Sequence, residues 1–79
     1  MSKGLEIVQR VLVEAGIPDS EIHASASLSD DLSIDSVELV EIILSIEQKA
    51  EVPLDAKQLK NVHTVSELAD FVNSQLQSE

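Results

Sequence analysis

The residues best placed to do chemistry in this chain are Asp35 and Ser36, an acid followed by a hydroxyl at what reads as the start of a helix. Asp is a preferred N-cap, and Glu38 follows three positions on. Together they make a capping-box-like start to an amphipathic run through Leu39, Val40, Ile42, Ile43, Leu44 and Ile46. Ser36 then takes the first helical position, its side chain clear of the core. A phosphate ester formed there would lie beside backbone N–H groups without intrahelical partners, at the positive end of the helix dipole. The site suits a phosphodiester. For an arbitrary serine behind an Asp cap, the ordinary reading is an exposed first-turn residue and nothing more; taken alone, the residues around Ser36 leave both readings open.

Other arrangements fare worse. His23 and His63 are 40 positions apart, each without a neighbouring His or Cys, and read as surface or loop residues rather than metal ligands. Asp31, Ser33 and Asp35 imitate the first ligands of a calcium loop, but Ser36 stands where Gly is needed and Ile42 where the bidentate Glu is needed. No metal site is assigned. A triad of Ser36, His63 and Asp35 can be drawn on paper, yet Asp35 is committed to the cap and no oxyanion hole or substrate cleft is suggested. Gly4 and Gly16 are the only glycines, so no phosphate-binding glycine loop or nucleophile elbow exists. The chain reads as a non-enzyme. Without cysteine it has no disulfide and no thiol of its own.

The elements that must hold Ser36 follow from periodicity. Leu5, Val8, Leu12 and Ala15, widened by Ile7 and Val11, predict a first helix over Lys3 to Ala15, stopped by Gly16 with Pro18 beyond. Residues 17–35 form a long connection without a period, carrying Ile22, Ala26, Leu28, Leu32 and Ile34, so it is expected to be tacked onto the core with a short helical turn near Asp19 to Ile22. The second helix runs Ser36 to Ala50, and Val52-Pro53-Leu54 breaks it. Asp55 caps a turn or two up to Lys60. A capping box of Thr64 and Glu67 opens the last helix, which buries Val65, Leu68, Ala69, Val72 and Leu76 with Phe71 at the edge. The expected fold is all-α, a small bundle of three main helices plus one short one, with residues 1–79 forming a single domain.

Charge narrows the partners. Five basic against fifteen acidic residues leave −10, and the stretch from Asp30 to Asp55 holds eight acids and Lys49 alone, or −7 of that total. Such a field repels nucleic acid and anionic membrane surfaces and attracts proteins with basic patches. No segment approaches membrane-spanning length, and Met1-Ser2-Lys3-Gly4-Leu5-Glu6 lacks a signal-peptide pattern, so a cytoplasmic, non-inserted monomer is expected. On the second helix, Leu39, Ile42, Ile43, Ile46 and Ala50 share one face and read as core. Val37, Val40 and Leu44 fall on another sector among Glu41, Glu47 and Glu51. An apolar strip ringed by carboxylates suits docking, with charge steering a partner and the apolar contact fixing its register; the alternative is a wide core stripe against the long loop.

The run Asp31-Leu32-Ser33-Ile34-Asp35-Ser36-Val37-Glu38-Leu39-Val40 resembles the signature of the acyl carrier proteins. The likeness extends from the first amphipathic segment through Val52-Pro53-Leu54 to Thr64-Val65-Ser66-Glu67-Leu68. It implies a 4′-phosphopantetheine arm, taken from coenzyme A, on Ser36 beside the cap Asp35. It also implies a recognition helix on which Asp35, Glu38, Glu41 and Glu47 match the acidic positions and Val40 and Leu44 the exposed apolar ones, with Val37 added by the helix-face reading above. The partners implied are a phosphopantetheinyl transferase, then acyl synthases, reductases or transferases with basic docking patches. Ser33 stands where the family usually has glycine, and Val37 where leucine is commoner, which points to a specialised rather than a housekeeping member. Fatty acid, polyketide and related pathways all use such carriers. Two other readings compete: an aminoacyl or peptidyl carrier of nonribosomal synthesis, and an unmodified acidic helical interaction module.

Overall fold

The computed structural model describes residues 3–77, in which α-helix runs over Lys3–Glu14 (α1), Ser36–Ala50 (α2) and Val65–Gln77 (α3). Met1 and Ser2, part of the N-terminal segment read for a signal peptide, lie outside that range. Short 3-10 helices occupy Asp19–Glu21, one turn, and Ala56–Asn61, two turns, in the two connections. The second of these is the turn or two expected from Asp55 to Lys60, in 3-10 form, and Asp55 caps it, accepting from the Lys57 N–H at 2.9 Å. Among the described residues there is no strand; one antiparallel bridge pairs Ser27 with Thr64.

Each helix ends where its local chemistry ends it. α1 stops at Glu14, one residue earlier than the periodicity suggests, in a closing turn built on Gly16 at φ +101°. The Ile17 N–H reaches back to the Leu12 carbonyl at 3.1 Å and the Gly16 N–H to that of Val13 at 3.0 Å, which satisfies carbonyls the helix would leave open. α2 closes on Glu51 in the left-handed conformation, φ 57°, before Val52 and Pro53. At α3 the capping box forms as expected. The Glu67 N–H donates to Thr64 Oγ1 and the Thr64 N–H to Glu67 Oε1, both at 3.1 Å.

The core is almost wholly aliphatic, and no polar or charged residue among those described is buried. Val8, Val11 and Leu12 of α1, Ile42, Ile43 and Ile46 of α2, and Val65, Leu68, Ala69 and Val72 of α3 form it. The 17–35 connection contributes as much as a helix would: Ile17, Ile22, Ala26, Leu28, Leu32 and Ile34 are all buried. Phe71 corrects the sequence reading. The spacing puts it at the edge of α3, but it is only 7% exposed. α3 packs along α1 on one side and is bonded to the 24–28 segment at its N-terminus, so its buried stripe is wider than a one-sided helix would need.

Gly4 marks the closest approach of α1 to α3. Its N–H donates to Asn73 Oδ1 at 2.8 Å, and a Cβ there would sit 2.6 Å from both that oxygen and the Ala69 carbonyl. Gly4→Ala gains roughly 1 kcal/mol in helix propensity. It also forces a backbone atom aside, an overpacking cost of about 1–3 kcal/mol. A net loss of stability is therefore expected, read as a lower urea midpoint at unchanged slope; a higher midpoint would refute the close approach.

Candidate attachment site and its surroundings

Ser36 is the first residue of α2 and is exposed. Asp35, in extended conformation at φ −84° and ψ 177°, turns its carboxylate onto the helix start, where Oδ1 accepts from the Glu38 N–H at 2.7 Å. Its carbonyl takes the first intrahelical bond, from the Leu39 N–H at 2.9 Å. The cap is thus made by Asp35, and the Ser36 hydroxyl is not needed for it. An ester on that oxygen would point outward at the positive end of a 15-residue helix. A phosphodiester-linked group fits this position, because nothing there must be displaced to receive it.

Upstream, the backbone is under strain. Ser33 has φ 57°, the left-handed region that glycine enters freely and serine does not. Ile34, buried at 5% exposure, and the cap Asp35 follow directly, so this residue aims the chain into the helix. Ser33→Gly should stabilise the fold by about 0.5–1 kcal/mol, strain relief outweighing the added freedom of the unfolded chain. A raised urea midpoint checks this, and a lowered one would mean that the Ser33 side chain makes a compensating interaction.

The two stripes of α2 separate cleanly. Ile42, Ile43 and Ile46 are buried and Leu39 and Ala50 pack partly against them, whereas Val37, Val40 and Leu44 stand 70%, 50% and 54% exposed. The wide-core alternative for these three is ruled out. At about 100° per residue, Val40 and Leu44 lie within a quarter turn or so of Ser36, so the exposed apolar strip runs down the helix from the serine.

The acids expected around that strip are not equivalent. Glu41 is exposed at its border. Glu38, half-buried, lies on the other side of Glu41 and lines a crevice with Val11, Glu14, Ala15, Ile42 and Ser45, where α2 meets the end of α1. Glu47 has a structural task that the sequence reading did not foresee: Oε2 accepts from the Leu54 N–H at 2.8 Å, fastening the chain after Pro53 back onto the helix. Lys49, the lone base of the acidic stretch, pairs with Glu14 at 3.2 Å on the far side from the strip.

Sequence reasoning also missed Ser27. Its N–H donates to Asp31 Oδ2 at 2.7 Å, its Oγ accepts from the Asp30 N–H at 3.1 Å, and its carbonyl accepts from the N–H groups of Asp31 at 3.0 Å and Leu32 at 3.1 Å. Ser27 with acids three and four positions on is the local signal that could have shown it, since short polar side chains take backbone bonds at those offsets. Asp31, considered above as part of a calcium loop, is instead spent on the Ser27 N–H.

Residues 5–72 match the family described as Phosphopantetheine attachment site. The chain is 36% identical over 67 residues to a protein named Acyl carrier protein from Acidothermus cellulolyticus, covering 85% of this chain and 76% of that one. The chain belongs to the acyl carrier protein family. A second protein of that name, from Exiguobacterium sibiricum, is 28% identical over 72 residues, 91% of each chain. The matched span includes α2, the Ser33 turn and the capping box of α3. The domain is thus one to which 4′-phosphopantetheine is attached, and its relatives are carriers. Among the described residues, no helix is long and apolar enough to cross a membrane.

Proposed function

We propose that Ser36 carries the phosphopantetheine arm, and that residues 1–79 act as one cytoplasmic, monomeric carrier unit without catalysis of its own. Its pathway is fatty acid, polyketide or related biosynthesis. The observation that carries this reading is the exposed Ser36 hydroxyl, left free by the Asp35 cap, inside a span that matches a phosphopantetheine attachment family. In the attachment step, Ser36 Oγ bonds to the pantetheine-side phosphorus of coenzyme A as the P–O bond to the nucleotide portion breaks. The hydroxyl proton passes to a base of the transferase. Once attached, the arm supplies the thiol that this cysteine-free chain lacks and holds acyl groups on it.

The chain's own residues present that site. The Asp35 cap leaves the Ser36 hydroxyl free, and the helix dipole favours the added negative charge there. Val37, Val40 and Leu44 offer a partner a small apolar contact, and Glu41 and Glu38 steer a basic surface toward it. Incubation with coenzyme A and a broad-specificity phosphopantetheinyl transferase should add one phosphopantetheinyl mass to the intact chain. A chain that stays unmodified would favour an unmodified acidic interaction module.

Glu41 is the clean probe of docking, because Glu47 also holds Leu54. Glu41→Lys should lower kcat/KM for modification on the order of tenfold at low salt. The deficit should shrink as ionic strength passes 0.15 M, where charges more than about 8 Å apart are largely screened. An unchanged rate at low salt would remove Glu41 from the docking surface.

A further inference from the structure

α1 approaches both α3 and α2 closely, whereas no comparably close approach joins α2 to α3 among the described residues. The Ser36 helix is therefore related to α3 through α1 and through the 24–34 segment, and a continuous series of hydrogen bonds runs through that segment. It begins at Glu67, whose Oε1 accepts from the His63 N–H at 2.9 Å and the Thr64 N–H at 3.1 Å. The His63 carbonyl accepts from the Leu28 N–H at 2.8 Å. The Leu28 carbonyl in turn accepts from the Ile34 N–H at 2.9 Å, two residues before Ser36.

Two further features make this path stiff. The N–H groups of Val65 and Ser66, which α3 alone would leave without partners, donate to the Ala26 carbonyl at 3.1 Å and the Ala24 carbonyl at 2.8 Å. Ser27, paired with Thr64 across the bridge, is locked to residues 30–32 through its own backbone and hydroxyl, with Asp31 Oδ2 on its N–H at 2.7 Å. The segment from 24 to 34 is thus clamped to α3 at one end and delivers Ile34, Asp35 and Ser36 at the other. Both carboxylates that close the clamp are exposed, so water competes for them. They are nonetheless turned onto backbone N–H groups of this path.

We propose that Glu67 and Asp31 are positioning residues for modification at Ser36: by holding the 24–34 segment against the start of α3, they keep the chain entering α2, with the Asp35 cap and the first turn that carries Ser36, in one place. The proposal rests on Ser36 being the attachment point. The Glu67 carboxyl lies below its ordinary range, chiefly because the His63 N–H donates to it, as expected of a carboxylate engaged as an acceptor. Glu67 touches neither Ser36 nor the strip, so its removal should leave partner binding intact and spoil alignment. Misplacing a reacting group by about 1 Å can cost up to roughly a hundredfold in rate.

The test uses Glu67→Ala, Glu67→Gln and Asp31→Ala in the full chain, with two readouts. Native-state amide exchange compares Leu28 and Ile34 with Leu12 and Ile46 in α1 and α2. Transferase kinetics separate kcat from KM. In Glu67→Ala and Asp31→Ala, exchange at Leu28 and Ile34 should accelerate roughly tenfold more than at Leu12 and Ile46. The kcat for modification should fall on the order of tenfold at a KM within about twofold of wild type. Glu67→Gln keeps an acceptor oxygen and should recover most of both effects. Equal acceleration at all four amides would overturn the proposal, because the carboxylates would then matter only to overall stability. So would an unchanged kcat alongside selectively loosened Leu28 and Ile34. If the wild-type chain takes no adduct, the attachment reading fails instead, and the linkage still stands or falls on the exchange rates.

Discussion

Ser36→Ala should leave the chain folded and reduce the phosphopantetheine adduct to nothing. The two halves of this expectation come from the same geometry. Ser36 is exposed, and the cap at the start of α2 is supplied by Asp35, whose carboxylate meets the Glu38 N–H at 2.7 Å. Alanine at the first helical position therefore loses no bond on which the helix depends, and its propensity is slightly better than that of serine. Stability should stay within about 0.5 kcal/mol of wild type. Modification has no such tolerance, because the oxygen that bonds to phosphorus is gone. Ser33 is also exposed and only three residues away, but it sits in a left-handed turn before the helix. An ester there would lack the helix N-terminus behind it. Intact mass after transferase treatment decides the matter: an adduct that survives Ser36→Ala would place attachment elsewhere and undo the assignment.

The second large effect separates the two stripes of α2. Ile46→Ala should cost about 2–5 kcal/mol, since Ile46 is fully buried and its removal leaves a cavity among close-packed aliphatic side chains. A protein of this size has on the order of 0.05–0.15 kcal/mol of stability per residue, so the loss is a large part of the whole. Leu44→Ala, two residues earlier, removes a side chain that is 54% exposed. It should shift stability by no more than about 0.5 kcal/mol. Its effect should fall on partner recognition, as slower modification by the transferase. Urea unfolding of both variants alongside transferase rates makes the comparison. If Leu44→Ala destabilised as much as Ile46→Ala, the exposed strip would be part of the core and the docking surface would lose its apolar half.

The features that could be read in advance are those governed by neighbours in the chain. Asp35 with Glu38, Thr64 with Glu67, and Gly16 before Pro18 are local signals, and the caps and stops appear where those residues put them. α2 spans Ser36–Ala50 as its periodicity indicates, and its division into a buried face and an exposed apolar strip follows from helix geometry. The strain at Ser33 is legible as well, from the resemblance, as a serine standing where the family usually has glycine.

Other features depended on contacts between residues far apart. Glu47 reads as one more docking acid until the chain after Pro53 folds back and presents the Leu54 N–H. Phe71 reads as an edge residue until α3 is enclosed on more than one side. Gly4 carries no local signal, and only the approach of Ala69 and Asn73 reveals why a side chain does not fit there.

By itself, then, the sequence determined the helices, their caps, the aliphatic core stripes, the concentration of negative charge around Ser36 and the absence of a protein thiol. These follow from residue types, and from spacings of a few positions that helix geometry turns into faces. Only the tertiary structure decided how the long connection is used. Its apolar residues read as tacked onto the core, but they have no period, so nothing local says what they or the backbone between them pack against. Its backbone must find partners outside itself, and it finds them at the start of α3. That pairing across the bundle, from Glu67 through His63 and Leu28 to Ile34, joins the start of α3 to the chain entering Ser36.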